Sequence, residues 1–491
     1  MGALTAGALV WSAFDGPAIP APLLQGIERG RIGGLVLFAF RGNIRSREQV
    51  RTLLREAVDA ARRGGLPPVP VSVDQEGGSV VRVGYGAVFP SAMAIGATGD
   101  PTYAERAARA VGLGLRADGI AVNLAPVCDI NVEPRNPVIG TRSFGDDPER
   151  AAAFVAAWVR GSEAAGVASS PKHFPGHGAS AYDTHHTTVD VGASRELMER
   201  RELVPFRAAI AAGASSVMSA HIRYPMLDAE NIATLSPTIL RDLLRGALGF
   251  RGLTITDALD MSGLTQVETA DRVNARAINA GIDAAMVIGT IEAELEAAEQ
   301  LALGVPPARL REAIGRAAAF RERFGIAVPD EPFDDEPGRR LAAEIAAASI
   351  THAGAPLPAL GGPIRVALFP PKLRSPVEEL IDIEAQLERA LRERLGSTVS
   401  FSADGTAPAG DGPLAVCTTS AFFDAPQAER ARTLLASGGI LCPLRSPYDA
   451  TLVPGVPALL TYGEVPASLV ALADVLAGRA TPRGTLPIRL A

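Results

Sequence analysis

Short β-branched runs and longer helix-like stretches alternate eight times before residue 326, and this alternation constrains the fold more than any other feature of the chain. The runs are Ala6–Trp11, Gly34–Phe38, Val69–Val73, Ile120–Leu124, Val167–Ser170, Ser216–Ser219, Leu253–Thr256 and Ala284–Ile288. Between them, stretches such as Arg47–Arg63 and Asp147–Ala165 repeat apolar residues at helical spacing. Eight β/α repeats predict a closed parallel (β/α)8 TIM-type barrel rather than an open sheet.

A barrel of about 250–330 residues leaves part of a 491-residue chain unassigned. The acids and prolines of Ala327–Glu336 mark a linker, with a helix expected over Pro337–Ser349. Apolar runs resume at Ile364–Phe369, Leu414–Thr418 and Gly439–Pro443, with a helix expected over Val377–Leu395. The expected partition is a catalytic barrel over 1–326, a linker and connecting helix over 327–353, and a smaller C-terminal α/β sandwich domain over 354–491.

Composition removes several function classes. With 47% hydrophobic and 21% charged residues the chain reads as globular. A net charge of -7 without a long Lys/Arg run carries no nucleic-acid footprint, and Arg62-Arg63 reads as a solvated helix face. Cys128, Cys417 and Cys442 show neither metal spacing nor a disulfide framework, which fits a reducing compartment. The apolar stretch Met1–Phe14 has no basic residue before it and reads as the first strand rather than a signal peptide. No apolar run approaches the ~20 residues of a membrane span. A cytoplasmic protein that binds neither membrane nor nucleic acid is expected.

Polar residues cluster at the ends of the runs. Asp74 follows the third, Asn123 ends the fourth region, Lys172 and His173 follow the fifth, His221 the sixth and Asp257 the seventh. In a barrel these C-terminal strand ends converge on the face that carries active sites. One such residue is explained by the polarity of loops; the group is not.

Five of the six histidines fall at 173, 177, 185, 186 and 221, four of them in Lys172-His173-Phe174-Pro175-Gly176-His177-Gly178 and Asp183-Thr184-His185-His186. Pro175, Gly176 and Gly178 permit a tight irregular loop. Metal binding by His173, His177, Asp183 and His185 is one reading, although Pro-Gly opposes the helix that would align the first two. Acid/base work by an imidazole is the other. Asp183 lies two residues before His185 and can fix its tautomer, and an unperturbed pKa near ~6.5 lets histidine donate and accept near neutrality. In Thr254–Met261, Asp257 ends an apolar strand where a nucleophile on an anomeric carbon would stand; a helix cap explains it locally as well, and Asp260 falls in the following turn. Two further loops, Asp74-Gln75-Glu76-Gly77-Gly78 with Arg82, and Asn131–Gly145 with Arg142, offer charged groups that could grip sugar hydroxyls. The diglycine lacks phosphate-loop spacing.

Together these segments resemble glycoside hydrolase family 3, in its β-N-acetylglucosaminidase branch. The most specific part is KHFPGHG followed by Asp-Thr-His. The resemblance implies His185 as acid/base with Asp183 as its partner, Asp257 as nucleophile, and Asp74, Arg82, Arg142, Lys172 and His173 at sugar-binding positions, with His221 in a segment near the site. It implies no metal or organic cofactor and a small carbohydrate as the partner. Cys442–Asp449 and Pro482–Pro487 resemble the family's second domain, which many members of this branch lack, so the second domain is expected to be dispensable for the chemistry. Ser79 replaces an expected arginine and Thr141 an aspartate. Neither removes a catalytic group; both bear on aglycone preference.

The implied reaction is retaining release of terminal β-linked N-acetylglucosamine, from muropeptides or chitin-type fragments, by double displacement. Two alternatives stay open. A neutral histidine base leaves the site less negative than a glutamate would, so phosphate could attack in place of water and make the protein a phosphorylase. A non-catalytic amino-sugar-binding protein could share the scaffold.

Overall fold

The computed structural model describes residues 4–183, 187–373, 375–379 and 381–490. A strand coincides with each of the eight expected runs, the first overlapping its run only from Val10: β1 Val10–Ser12, β2 Gly34–Val36, β3 Val71–Val73, β4 Val122–Asn123, β5 Ala168–Ser169, β6 Ser216–Ser219, β7 Leu253–Thr256 and β8 Ala285–Val287. Six form one parallel sheet in the order β8-β1-β2-β3-β4-β5, and β6 pairs with β7, also in parallel. Single parallel bridges connect the two groups, Phe174 to Ser219 and Ile255 to Ala284. The strand residues are buried throughout.

Helices fill the intervals for the reasons their sequences suggest. The helix Arg47–Arg63 starts where the Ser46 hydroxyl accepts from the Gln49 N–H, and it turns Val50, Leu53, Leu54, Ala57 and Ala61 inward. Burying each leucine contributes roughly 1.5–3 kcal/mol. It ends at Gly64-Gly65, the second glycine adopting a positive φ that a side chain would oppose. Among the described residues no helix is long and apolar enough to cross a membrane.

The C-terminal part is a second α/β layer. Its strands are β9 Thr351–Ala353, β10 Ile364–Leu368, β11 Val399–Ser402, β12 Leu414–Thr418, β13 Ile440–Pro443 and β14 Ala458–Leu460, ordered β9-β14-β13-β12-β10-β11. All pairings are parallel except β9 with β14. Strands β9, β11 and β14 are short and escape a search for apolar runs. The helix expected from Val377 begins instead at Ile383, where the Asp382 side chain accepts from the Ala385 N–H. The residues before it form a loop, and that loop reaches the strand ends of the first part.

The two parts share packing. The connecting helix Glu336–Ser349 buries Ala342 and Ile345 in the first core and Ala346 in the second. Met93, Ala94 and Ala97 of the helix Ala92–Ala97 pack with Leu460 of β14 and Tyr462 just beyond it.

Candidate active site

A cavity of about 290 Å³ opens at the C-terminal ends of the strands. It is lined by Asp74, Arg82, Arg142, Lys172, His173 and Asp257, so one space gathers six residues picked out from the sequence. Leu124, Met218 and Met286 supply an apolar floor. A size of this order suits a small-molecule site.

One wall is a buried charge cluster. The Lys172 ammonium donates to Asp74 Oδ1 at 2.6 Å and lies 2.7 Å from Glu76 Oε1. Glu76 in turn accepts both arms of Arg142, at 2.8 and 2.9 Å. Burial pushes the Glu76 carboxyl up, but Arg142 and Lys172 outweigh it and hold the group well below the usual carboxylate range. Burial works against the Lys172 charge as well, and Asp74 and Glu76 prevail, so its pKa is raised. Arg82 stands 4.0 Å from Asp74 and donates to Glu379 Oε1 at 2.8 Å and to the Val377 carbonyl at 2.9 Å. Fixed ions of both signs offer donors and acceptors in set positions, as recognition of a hydroxyl-rich ligand requires.

A second wall is the loop after β5. Asp129 organises it: Oδ1 accepts the N–H groups of His173 and His177 at 3.2 and 2.6 Å, and Oδ2 lies 2.7 Å from His173 Nδ1. That contact keeps the proton of a neutral ring on Nδ1. Asn136 donates to the His177 carbonyl at 3.0 Å, and the Tyr224 hydroxyl to the Gly176 carbonyl. Gly178 passes so close that a Cβ would stand 1.7 Å from the Ile130 carbonyl oxygen. His177 is buried, and burial takes its pKa down to about 4. The two rings meet edge-on at 5.8 Å. His173 and His177 therefore share one carboxylate. Asp183, further along the loop, is buried, and its carbonyl accepts from the Thr187 N–H at 3.3 Å. His185 lies outside the described residues.

Asp257 is half-buried directly after β7, and its Oδ1 accepts from the Ala258 N–H at 2.8 Å. Asp260 also lines the cavity but is exposed at its rim. His221 takes a different position from its neighbours in the sequence reading. It is buried, with Nδ1 2.8 Å from Thr234 Oγ1 and Nε2 2.9 Å from the Ala258 carbonyl. It braces the turn that carries Asp257 and is not among the cavity-lining residues.

Other contributors were not singled out from the sequence. Glu76 belongs to the charged segment Asp74–Gly78 but does not follow a strand run directly, and Asp129 has no motif around it. Phe40 and Arg41 come from the turn after β2. Pro376 and Val377 come from the C-terminal part, whose loop is also held by the Glu379 N–H donating to the Ser79 carbonyl at 2.9 Å. All the expected catalytic groups belong to the first part, but the second supplies wall.

Comparisons place this arrangement among known proteins. The family model described as Glycosyl hydrolase family 3 N terminal domain matches residues 20–318. Beta-hexosaminidase A of Pseudoalteromonas piscicida is 34% identical over 369 residues, 68% of this chain and 61% of that protein, so the match spans less than two thirds of that relative's length. A beta-hexosaminidase of Stenotrophomonas maltophilia (strain K279a) is 41% identical over 273 residues, 53% of this chain and 77% of that protein. The solved structure of a glycoside hydrolase family 3 beta-N-acetylglucosaminidase from Paenibacillus sp. str. FPU-7 matches with a TM-score of 0.90 at 32% identity, covering 99% of this chain and 98% of that one.

Proposed function

The chain belongs to glycosyl hydrolase family 3, and from that premise we propose that it is a retaining exo-β-N-acetylglucosaminidase. The names of its relatives support an N-acetylhexosamine as the sugar released. The observation that carries the reading is Asp257 at the end of β7, opening into the same cavity as the Asp74–Lys172 pair, Arg142 and His173. A carboxylate held beside a wall of sugar-gripping ions is what a nucleophile on an anomeric carbon needs.

In this proposal Asp257 attacks the anomeric carbon while the His185 imidazolium protonates the leaving oxygen. A glycosyl-aspartate forms. Water then attacks with neutral His185 as base, and the β configuration is kept. Asp183 orients His185, and Asp74, Arg82, Arg142, Lys172 and His173 hold the sugar. His221 is assigned to positioning Asp257 through the Ala258 carbonyl. Metal and organic cofactors have no part in these steps. Terminal residues of muropeptides or chitin-type fragments are the substrates, and the cytoplasm is the compartment. We also read the six-stranded sheet, the β6–β7 pair and the two single bridges as staves of one (β/α)8 barrel over 1–326, followed by a linker and helix over 327–353 and a C-terminal α/β domain over 354–491.

The test is turnover of 4-nitrophenyl N-acetyl-β-glucosaminide with and without phosphate, with the sugar product identified by mass. Free N-acetylglucosamine at a rate indifferent to phosphate is expected. N-Acetylglucosamine 1-phosphate, formed faster as phosphate rises, would make the protein a phosphorylase. Binding of the sugar without turnover would make it a binding protein. Asp257→Ala should lower kcat by about 10³-fold or more; near-normal turnover in that variant would remove the nucleophile assignment.

A further inference from the structure

At the opposite end of β7 and β8 from Asp257, five guanidinia gather around a cavity of about 410 Å³: Arg241, Arg245, Arg251, Arg309 and Arg316. Glu312 is the carboxylate among its lining residues, and Asp283 stands fully buried behind it. Asp283 accepts from Arg309 at 2.9 Å, from Arg316 at 3.1 Å and from Arg245. Glu312 accepts from Arg309 at 3.2 Å and Arg316 at 2.5 Å. These two acids account for the three inner arginines as a structural lock. Arg241 and Arg251 lie outside that account. Both are exposed and donate to main-chain carbonyls: Arg241 to that of Asn279, Arg251 to those of Arg245 and Phe250. A guanidinium carries five N–H donors, so each keeps donors to spare toward the cavity.

Five positive groups against two negative ones leave a surplus in a concave, partly buried space, where like charges repel more strongly than in water. Arg245 feels this most. It is 8% exposed, its Nε has no hydrogen-bond partner among the described residues, and burial together with Arg316 and Arg309 draws its pKa down to about 10. An anion would relieve the repulsion and take up the spare donors. Guanidinium forks match phosphate oxygens in pairs, and the cavity has room for more than a lone ion.

We propose that this pocket, bounded by Arg241, Arg251, Arg309 and Arg316 beneath β7 and β8, is a second ligand site that binds a phosphate group, free or as the monoester of a small metabolite. It is separate from the sugar cavity. Arg245 also donates to Thr254 Oγ1 at 2.6 Å, so the site touches β7, the strand that Asp257 follows.

Isothermal titration of the full chain with inorganic phosphate and with glucose 6-phosphate tests this, at matched ionic strength against sodium chloride. N-Acetylglucosamine is kept saturating to occupy the sugar cavity. One saturable equivalent is expected. The double variant Arg241→Gln, Arg251→Gln should weaken it by at least about tenfold, with turnover of 4-nitrophenyl N-acetyl-β-glucosaminide in phosphate-free buffer unchanged. Because both side chains are exposed, the variant should melt within a few degrees of the parent; Arg251→Lys, which keeps charge and loses the fork, is the independent second variant and should fall between the two. Tighter binding of glucose 6-phosphate than of phosphate assigns a monoester; equal affinity assigns the free ion. Heats no different from sodium chloride, or binding that survives intact in both variants, would overturn the proposal.

Discussion

His177 and Glu76 show how burial and charge divide labour in one part of the molecule. His177 is held neutral, its pKa near 4 against an ordinary 6.5. The unfolded chain therefore takes up its proton first as pH falls, and stability drains away from about pH 6.5 down to about 4. By pH 5 the loss from this residue is on the order of 2 kcal/mol. Urea midpoints at pH 7 and pH 5 should show the drop, and His177→Asn should shrink the difference between the two pH values. Glu76 acts in the same direction, in a lower pH window. Its depressed pKa makes its contribution complete above the ordinary carboxylate value, and that contribution is lost only at lower pH. Removing it strands Arg142 in a buried place. Glu76→Ala should cost about 3–5 kcal/mol in urea denaturation and raise KM, whereas Glu76→Gln, which keeps shape and an acceptor oxygen, should lose less stability.

At the scale of elements, strand ends set the site and loops finish it. The loop before the helix Ile383–Leu395 crosses from one α/β layer to the other, placing Pro376 and Val377 in the cavity wall and Glu379 on Arg82. Arg82 is almost fully buried, and Glu379 fixes its direction. Glu379→Ala should therefore raise KM for 4-nitrophenyl N-acetyl-β-glucosaminide by several-fold to about tenfold, equivalent to roughly 1.4 kcal/mol, with kcat changed less. A fall in kcat alone would mean that this contact does not orient the bound sugar. The location of Ser79 sharpens the point. Its carbonyl, rather than its side chain, receives the Glu379 N–H, so the loop attaches at a position where the family resemblance led us to expect an arginine.

For the whole molecule the question is how independent the two layers are. Met93, Ala94 and Ala97 are fully buried against the C-terminal sheet, the Ser91 hydroxyl donates to the Tyr462 carbonyl at 2.6 Å, and Asn131 donates to the Tyr448 hydroxyl at 3.0 Å. A chain ending at residue 326 would expose that apolar surface to water and leave Arg82 without Glu379. It should melt at a lower temperature than the full chain and show a higher KM. Its kcat should stay within about tenfold, because Asp257, Asp183 and His185 all lie before the cut. A loss of kcat far beyond that would show that the second layer takes part in the chemical steps.

The order of elements was legible in the sequence because a buried parallel strand must be apolar and its covering helix amphipathic, and those two periods differ. The eight strands β1–β8 coincide with the runs read from the chain, β1 passing its run by one residue, whereas short pairings in the loops, such as Gln75–Gly77 with Val80–Val81, were not foreseen. That Asp74, Lys172, His173 and Asp257 line one cavity was legible for a related reason: parallel strands end on one face, so polar residues just after apolar runs converge whatever the loops do. What the tertiary structure alone decided was partnership. Nothing near Asp129 in sequence signals that its carboxylate would hold two histidines more than forty residues away. Position 221 read as one more strand-end residue, and only the folded chain shows its ring between the Thr234 hydroxyl and the Ala258 carbonyl. The loop at 375–379 reaches Arg82 across nearly three hundred residues. Local sequence carries propensity and period, whereas the pairing of buried charges depends on distances that exist only once the chain has closed on itself.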